Sequence, residues 1–193
     1  MSSIGFAIAY AASAIGSQQP MPIQFVQSVT GTTVTVCIDG QKVEETFAGK
    51  LGFRDASSSW TSVCADVRSP VRAGQIYGVH LLHTSKVGGN VAKAGNIVAK
   101  FFRAAQTDAQ CAGLQLAVWK ALEDGADQPD FSTGHLQARA SIPILAYANY
   151  YYQAINTPGD ALYLMAAGAG QAADGGGQAS GGGQGQGQMT TGS

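Results

Sequence analysis

The hydrophobic residues of this chain change their spacing near residue 90, and this change limits the fold more than any other feature. Before it, residues 33–38 alternate at period two and are rich in β-branched side chains, and Asp39-Gly40 follows as a hairpin turn signal. After it, Ile97, Val98, Phe101 and Phe102 recur at helical spacing. Strands followed by helices predict an α+β domain.

The turn signals divide the first half of the chain into several antiparallel strands. After the strand at 33–38, we expect returning strands at 43–47 and 51–53, then strands at 59–67 and 76–82. The second half predicts a helix over residues 91–105 with Asn90 as its N-cap, and a helix from Thr107 to just before Gly125. Pro143 opens a third helix that runs to about Ile155, and residues 161–165 form a last strand.

Composition changes mark three regions: an apolar N-terminal segment at 1–20, the α+β domain at 21–167, and a flexible Gly/Gln-rich tail at 168–193. Residues 4–15 are apolar but shorter than the roughly 20 residues that span a bilayer, so no transmembrane helix is expected. Ala12-Ser13-Ala14 fits a signal-peptide cleavage site, yet no Lys or Arg precedes Lys42. The segment is therefore either a signal remnant or an assembly strand or helix.

Charge and motif content argue against several classes of function. The formal net charge is −1 and charged residues make up 12% of the chain, so no basic face for nucleic acid is expected. The chain has no GxSxG, P-loop, HExxH or dinucleotide-binding fingerprint, so the sequence predicts neither an enzyme nor a cofactor. The three cysteines lack metal-ligand spacing, so no metal site is expected.

The polar residue that most needs an explanation is Gln115. It lies on an apolar face of the second helix, with Cys111, Val118, Trp119 and Leu122. A buried carboxamide costs about 1–3 kcal/mol unless it is hydrogen-bonded, so some partner must satisfy it. Cys64 lies on a strand beside Asp66, and its neighbours Val63 and Val67 suggest a protected site.

Two segments of the chain together resemble a known family. Cys-Ala-Asp-Val at 64–67 with Gly-Gln-Ile-Tyr at 74–77, and Leu-Gln-Leu-Ala-Val-Trp at 114–119, are similar to motifs of exported bacterial thioester domains. The same pair occurs in exported proteins that carry a Pro-Glu-Pro sorting signal. The resemblance covers about residues 30–165 and implies an antiparallel β-sandwich or barrel-like sheet with inserted helices.

In this family the cysteine and glutamine side chains can be joined in an internal thioester, which an amine on another surface then captures. By the match, Cys64 is the thiol and Gln115 the acyl donor, with Asp66 and Trp119 supporting the site. Leu114 stands where adhesin motifs prefer Thr. The alternatives are a structural Gln115 that bonds strand backbone, and a Cys64 that is a free buried cysteine or is joined to Cys111 in a disulfide. If the thioester forms, Cys37 and Cys111 remain as a disulfide pair.

These observations predict a non-enzymatic domain at the cell surface or in the extracellular matrix, exported and adhesive. Its expected partners are other surface proteins or identical subunits. The alternative is a structural subunit of an extracellular filament or sheath, because an apolar segment such as residues 4–15 could complete the sheet of a neighbour and build a homopolymer.

Overall fold

A computed structural model describes residues 5–8, 19–69, 71–126 and 128–166. The side chains of residues 5–8, 42–44 and 166 are not described. The sequence-predicted tail at 168–193 and the proposed cleavage site at 12–14 lie outside the described residues.

A long antiparallel hairpin organises the sheet. β2 (Met21–Ile38) and β3 (Gln41–Arg54) pair along most of their length around a turn at Asp39 and Gly40, which both have positive φ. Gly31 and Gly49 face each other across this pair with φ of 153° and 154°. A Cβ on either glycine would meet the backbone of the other strand, so only glycine lets the two strands approach this closely.

The remaining strands extend this hairpin into one antiparallel sheet. They are β1 (Gly5–Ile8), β4 (Ser59–Cys64), β5 (Ile76–His83), β6 (Leu136–Arg139) and β7 (Leu162–Ala166). The strand order is β3-β4-β1-β7-β5-β2-β6, and β2 and β3 also pair with each other. The fold is therefore α+β with an antiparallel sheet, as the sequence predicts.

Four described helices accompany the sheet: α1 (Thr84–Val87), α2 (Gly89–Phe101), α3 (Asp108–Asp124) and α4 (Ile142–Tyr152). α3 is buried on every side from Cys111 to Ala121. A Cβ on Gly113 would lie 2.6 Å from the Tyr147 Cβ, so this glycine lets α4 pack closely on α3.

The buried residues form two clusters, and α3 contributes to both. The first joins the sheet to one side of α3, where Ala112, Leu116 and Trp119 pack with Cys64. The second joins α3 to α2 and α4, and it contains Cys111, Leu114 and Val118. The central helix is thus apolar on both sides, and the single apolar face expected from the sequence was too narrow.

Several expected boundaries were confirmed and others were wrong. Thr107 is the N-cap of α3, and its side chain and that of Gln110 form a reciprocal capping box. The N-cap of α2 is Gly88, because Asn90 lies inside the helix and its side chain donates to the Leu122 carbonyl over 3.0 Å. β4 ends at Cys64 rather than at residue 67, and β6 was not predicted.

Candidate functional site

Cys64 is the last residue of β4 and lies under the central helix. The register of β4 with β3 ends at Lys50 and Val63, one residue before Cys64. Cys64 is 8% exposed, and its side chain belongs to the cluster between the sheet and α3. The end of the strand therefore leaves the peptide groups of Cys64 available to a partner from above the sheet.

That partner is the carboxamide of Gln115. Its Oε1 accepts a hydrogen bond from the Cys64 backbone N–H at 2.7 Å, and its Nε2 donates to the Cys64 carbonyl at 2.5 Å. Gln115 is 1% exposed, so these bonds are made where water has little access. The carboxamide acts as an additional peptide group at the end of β4, which explains how a glutamine can be buried in the helix.

The thiol of Cys64 is held in its protonated form. Burial raises the pKa of Cys64 to about 12, although the hydrogen bond with the Asp66 backbone opposes this shift. The Cys64 Sγ donates to that Asp66 carbonyl over 3.1 Å. Because only the thiolate is a strong nucleophile, any reaction of this sulfur requires its proton to leave as the new bond forms.

A cavity of about 300 Å³ opens beside this thiol. Its lining includes Cys64, Asp66 and Trp119. Two phenylalanines and a second acidic residue also line it: Phe25, Phe47 and Glu45. Trp119 is 2% exposed, and its indole Nε1–H has no hydrogen-bond partner in the described part of the protein. Such a buried donor is unfavourable unless an oxygen accepts from it, so Trp119, one of the residues that line the cavity, carries an unsatisfied N–H group.

Asp66 has a structural contact as well as a place in the cavity. Its Oδ1 accepts from the Arg68 backbone N–H over 2.8 Å, which forms a turn directly after the cysteine segment. The carboxylate is half-buried. Asp66 therefore fixes the chain that follows Cys64 and also contributes negative charge beside the thiol.

The three cysteines are all free thiols in this structure. The Cys111 Sγ donates to the Ala105 carbonyl over 3.5 Å in the second cluster, on the other side of α3 from the Cys64 cluster. Cys37 lies on β2, half-buried, opposite Lys42 and Gln137. The structure therefore brings Cys64 to Gln115 but joins neither Cys64 nor Cys37 to Cys111.

Two buried lysines near α3 were missed from the sequence. Lys50 is 8% exposed and its Nζ donates to the Ala105 carbonyl over 2.6 Å; burial lowers its pKa. Lys120 is fully buried and pairs with Asp124 over 2.9 Å. A lysine inside an otherwise apolar helix face is the signal that could have identified Lys120, because a lysine is rarely buried without a partner.

Comparisons of the chain with known proteins identify no relative: no family model, curated protein or solved structure matches it. Among the described residues, no helix has the length and apolar character needed to cross a membrane. The same residues contain no group of three or more His, Cys, Asp or Glu side chains that could hold a metal ion.

Proposed function

We propose that this chain is an exported, non-enzymatic surface domain in which Cys64 and Gln115 form an internal thioester that attaches the protein covalently to amines. The observation that carries the proposal is the position of the Gln115 carboxamide, which is fixed by two hydrogen bonds to the peptide groups of Cys64. Acyl transfer depends on holding both reacting groups in one geometry, and here the acyl donor is bound to the nucleophilic residue itself.

The bond-forming step requires only the two side chains. The Cys64 sulfur attacks the Gln115 Cδ, the thiol proton passes to the carboxamide nitrogen, and ammonia leaves. The backbone N–H of Cys64 already donates to Oε1, so it can stabilise the negative charge that develops on this oxygen. The unpartnered indole N–H of Trp119, one helical turn after Gln115, is a further donor close to the cavity.

Burial favours survival of the product. Gln115 is 1% exposed and Cys64 is 8% exposed, so bulk water has little access to the acyl carbon. The cavity beside Cys64 provides a route for an amine. The nitrogen of a neutral amine would bond to the Gln115 acyl carbon, and the sulfur would leave. One amine proton would pass to the sulfur, and the other would stay on the nitrogen of the new amide.

The strand pairings also support a barrel-like arrangement of the sheet. β2 pairs with β5 through residues 21–24 and with β3 from Gln24 onwards. These two sets of pairings support the barrel-like sheet that the resemblance to thioester domains implies. The helix-borne glutamine above a strand-borne cysteine follows the same arrangement.

Intact-mass spectrometry tests the chemistry. We expect the wild-type chain to be lighter than its sequence by one ammonia, and methylamine to add to the protein. Cys64→Ala is the sharper of two negative variants, because it removes the sulfur and keeps the backbone groups that bind Gln115; Gln115→Ala is the other. Cys111→Ala is the matched control and should retain the mass loss. An unmodified mass with three titratable thiols after denaturation would contradict the proposal.

A second candidate is a structural subunit of an extracellular filament or sheath. The observation that favours it is the position of β1, which comes from the apolar N-terminal segment and pairs with both β4 and β7. Negative-stain microscopy of the purified chain, with and without residues 1–16, tests this function. Filaments that require residues 1–16 would support it, and monodisperse monomers in both preparations would count against it.

A further inference from the structure

We infer that β1 is an exchangeable strand through which copies of this chain join, with β1 of one copy filling the gap between β4 and β7 of the next. The inference deepens the second candidate function, on which it rests for its biological use, by naming the joining element and the surface that receives it. It does not require the thioester.

β1 is the first described element of the chain, yet it lies in the interior of the strand order. Phe6 is opposite both Cys64 and Leu164, and Ala7 is opposite both Val63 and Tyr163. Among the described strands, β4 and β7 do not pair with each other. The sheet is therefore continuous on this side only because β1 lies between them.

The position of β1 between β4 and β7 is flanked by buried residues and by peptide groups that need a strand as their hydrogen-bond partner. Val63, Ser62 and Leu164 are fully buried beside it. Without β1, the inward-facing peptide groups of β4 and β7 would lose their partners in the middle of the sheet, which is the kind of exposed edge that captures another strand. An identical strand from a second copy would restore every pairing.

The sequence of β1 and its connection permit this exchange. β1 reads Gly-Phe-Ala-Ile and carries no charge, so no ion pair has to be broken or buried when it moves. Residues 9–20 connect it to β2, and twelve residues can span at most about 40 Å. That reach is comparable with the size of a small domain, so the strand can enter a neighbour while the rest of its own chain stays folded.

The exchange would also connect assembly to the cysteine site, because Phe6 is the β1 residue opposite Cys64. In an exchanged assembly, the sheet around each Cys64 would be built from two copies. The two proposals remain separable, since strand exchange is detected by mass in solution and the thioester by covalent mass.

The test uses the full chain, refolded over a series of protein concentrations and measured by size-exclusion chromatography with light scattering. We expect oligomers whose fraction rises with concentration. A synthetic peptide of residues 1–18, added in excess during refolding, should convert at least half of the oligomers to single chains carrying one peptide. The same peptide with Ala7→Pro should not, because proline removes a ladder N–H inside the strand. A Ser17→Pro peptide is the matched control and should act like the unmodified one.

The full-length variants give an independent measurement. Ala7→Pro in the whole chain should reduce oligomers, whereas Ser17→Pro should leave them unchanged. Peptide-sensitive oligomers would support the inference even if microscopy shows no filaments. A chain that stays monomeric at every concentration, or oligomers that respond equally to the Ala7→Pro and unmodified peptides, would overturn it.

Discussion

Two buried polar pairs fix the central helix α3, and they differ in what they leave unused. Near its C-terminal end, Lys120 donates to the Thr133 carbonyl at 2.5 Å and to the Leu136 carbonyl at 2.8 Å, besides its ion pair with Asp124. Asp124 accepts from the His135 and Leu136 backbone N–H groups at 2.6 and 3.0 Å. The charges of this pair are well compensated, and its contacts hold the segment that leads into β6.

The other pair, Gln115 with Cys64, is also buried, but polar groups of its residues or neighbours are not used in hydrogen bonds that hold the fold together. The carboxamide satisfies the Cys64 backbone, yet the thiol borders a cavity and the neighbouring Trp119 indole N–H has no partner among the described residues. The comparison teaches that burial and polarity alone do not identify a site. The useful signal is a buried group whose bonding capacity is not used by the fold.

Removal of one charge from the buried Lys120–Asp124 ion pair should have the largest effect on stability. Lys120→Met would leave the Asp124 carboxylate buried without its cation, and we expect a loss of about 3–5 kcal/mol in the free energy of unfolding. Urea denaturation measures this loss. Lys86→Met, at an exposed lysine, should change stability by less than about 0.5 kcal/mol.

The double variant Lys120→Met with Asp124→Asn refines that measurement. The asparagine oxygen can still accept from the His135 and Leu136 backbone, while the unpaired charge is gone. The double variant should therefore be more stable than Lys120→Met alone. If it is less stable by the full sum of the single effects, the ion pair does not couple the two residues.

The cysteine–glutamine pair should respond asymmetrically. Gln115→Ala leaves the buried Cys64 N–H and carbonyl without partners and opens a cavity, so we expect a loss of about 2–5 kcal/mol. Cys64→Ala keeps the backbone groups that bind Gln115, and the expected loss is about 1 kcal/mol. Urea denaturation compares the two variants. The asymmetry is expected for chains without the thioester, and equal destabilisation would indicate that the sulfur–carbon bond rather than the two hydrogen bonds anchors Gln115.

Thiol labelling tests how protected the cysteine is. In chains whose thioester has not formed, Cys64 keeps a thiol with a pKa of about 12, so it should be ionised in only about one molecule in ten thousand at pH 8. We expect iodoacetamide to modify Cys37 first in the native protein, because it is the cysteine with partial solvent access. Peptide mapping after timed quenching identifies each site. Labelling of Cys64 as fast as Cys37 would show that the burial described here does not persist in solution.

The sequence predicted those elements whose cause is local. The alternation at 33–38, the Asp39-Gly40 turn and the Thr107 cap each depend on neighbouring residues, and all are present. β6 was not predicted, because Leu-Gln-Ala-Arg has little strand propensity and becomes a strand through pairing with residues 35–38 of β2. The strand after residue 59 was predicted too long, because Gln115 rather than a neighbouring strand takes the hydrogen bonds at Cys64.

The candidate site was also predictable only where its cause is local. Gln115 stood out because a carboxamide on an apolar helix needs a partner, and its position beside Cys64 came from the family resemblance. The alternative that Gln115 bonds strand backbone named the right kind of partner, but the particular residue, Cys64, depends on where β4 leaves β3. The buried Lys120 was missed for a related reason: its acceptors are carbonyls brought near by the fold of residues 133–136.

The smallest expected effect concerns an exposed pair near the same end of α3. The His135 Nδ1–H donates to the Asp39 Oδ1 over 2.7 Å, and this hydrogen bond raises the pKa of His135 and lowers the pKa of Asp39. Because folding raises the pKa of His135, protonation of this side chain stabilises the folded protein. This stabilisation is fully present below the unfolded histidine pKa of about 6.5 and is lost as the pH rises through the folded pKa. The effect is modest, since both side chains are more than half exposed. Melting temperatures measured from pH 5 to pH 9 should fall slightly more steeply for wild type than for His135→Gln. An unchanged pH slope in the variant would assign the pH dependence of the melting temperature to a different group. The exposed Asp39–His135 pair would then have no measurable role in stability, in contrast to the buried Lys120–Asp124 pair on the adjoining turn of α3.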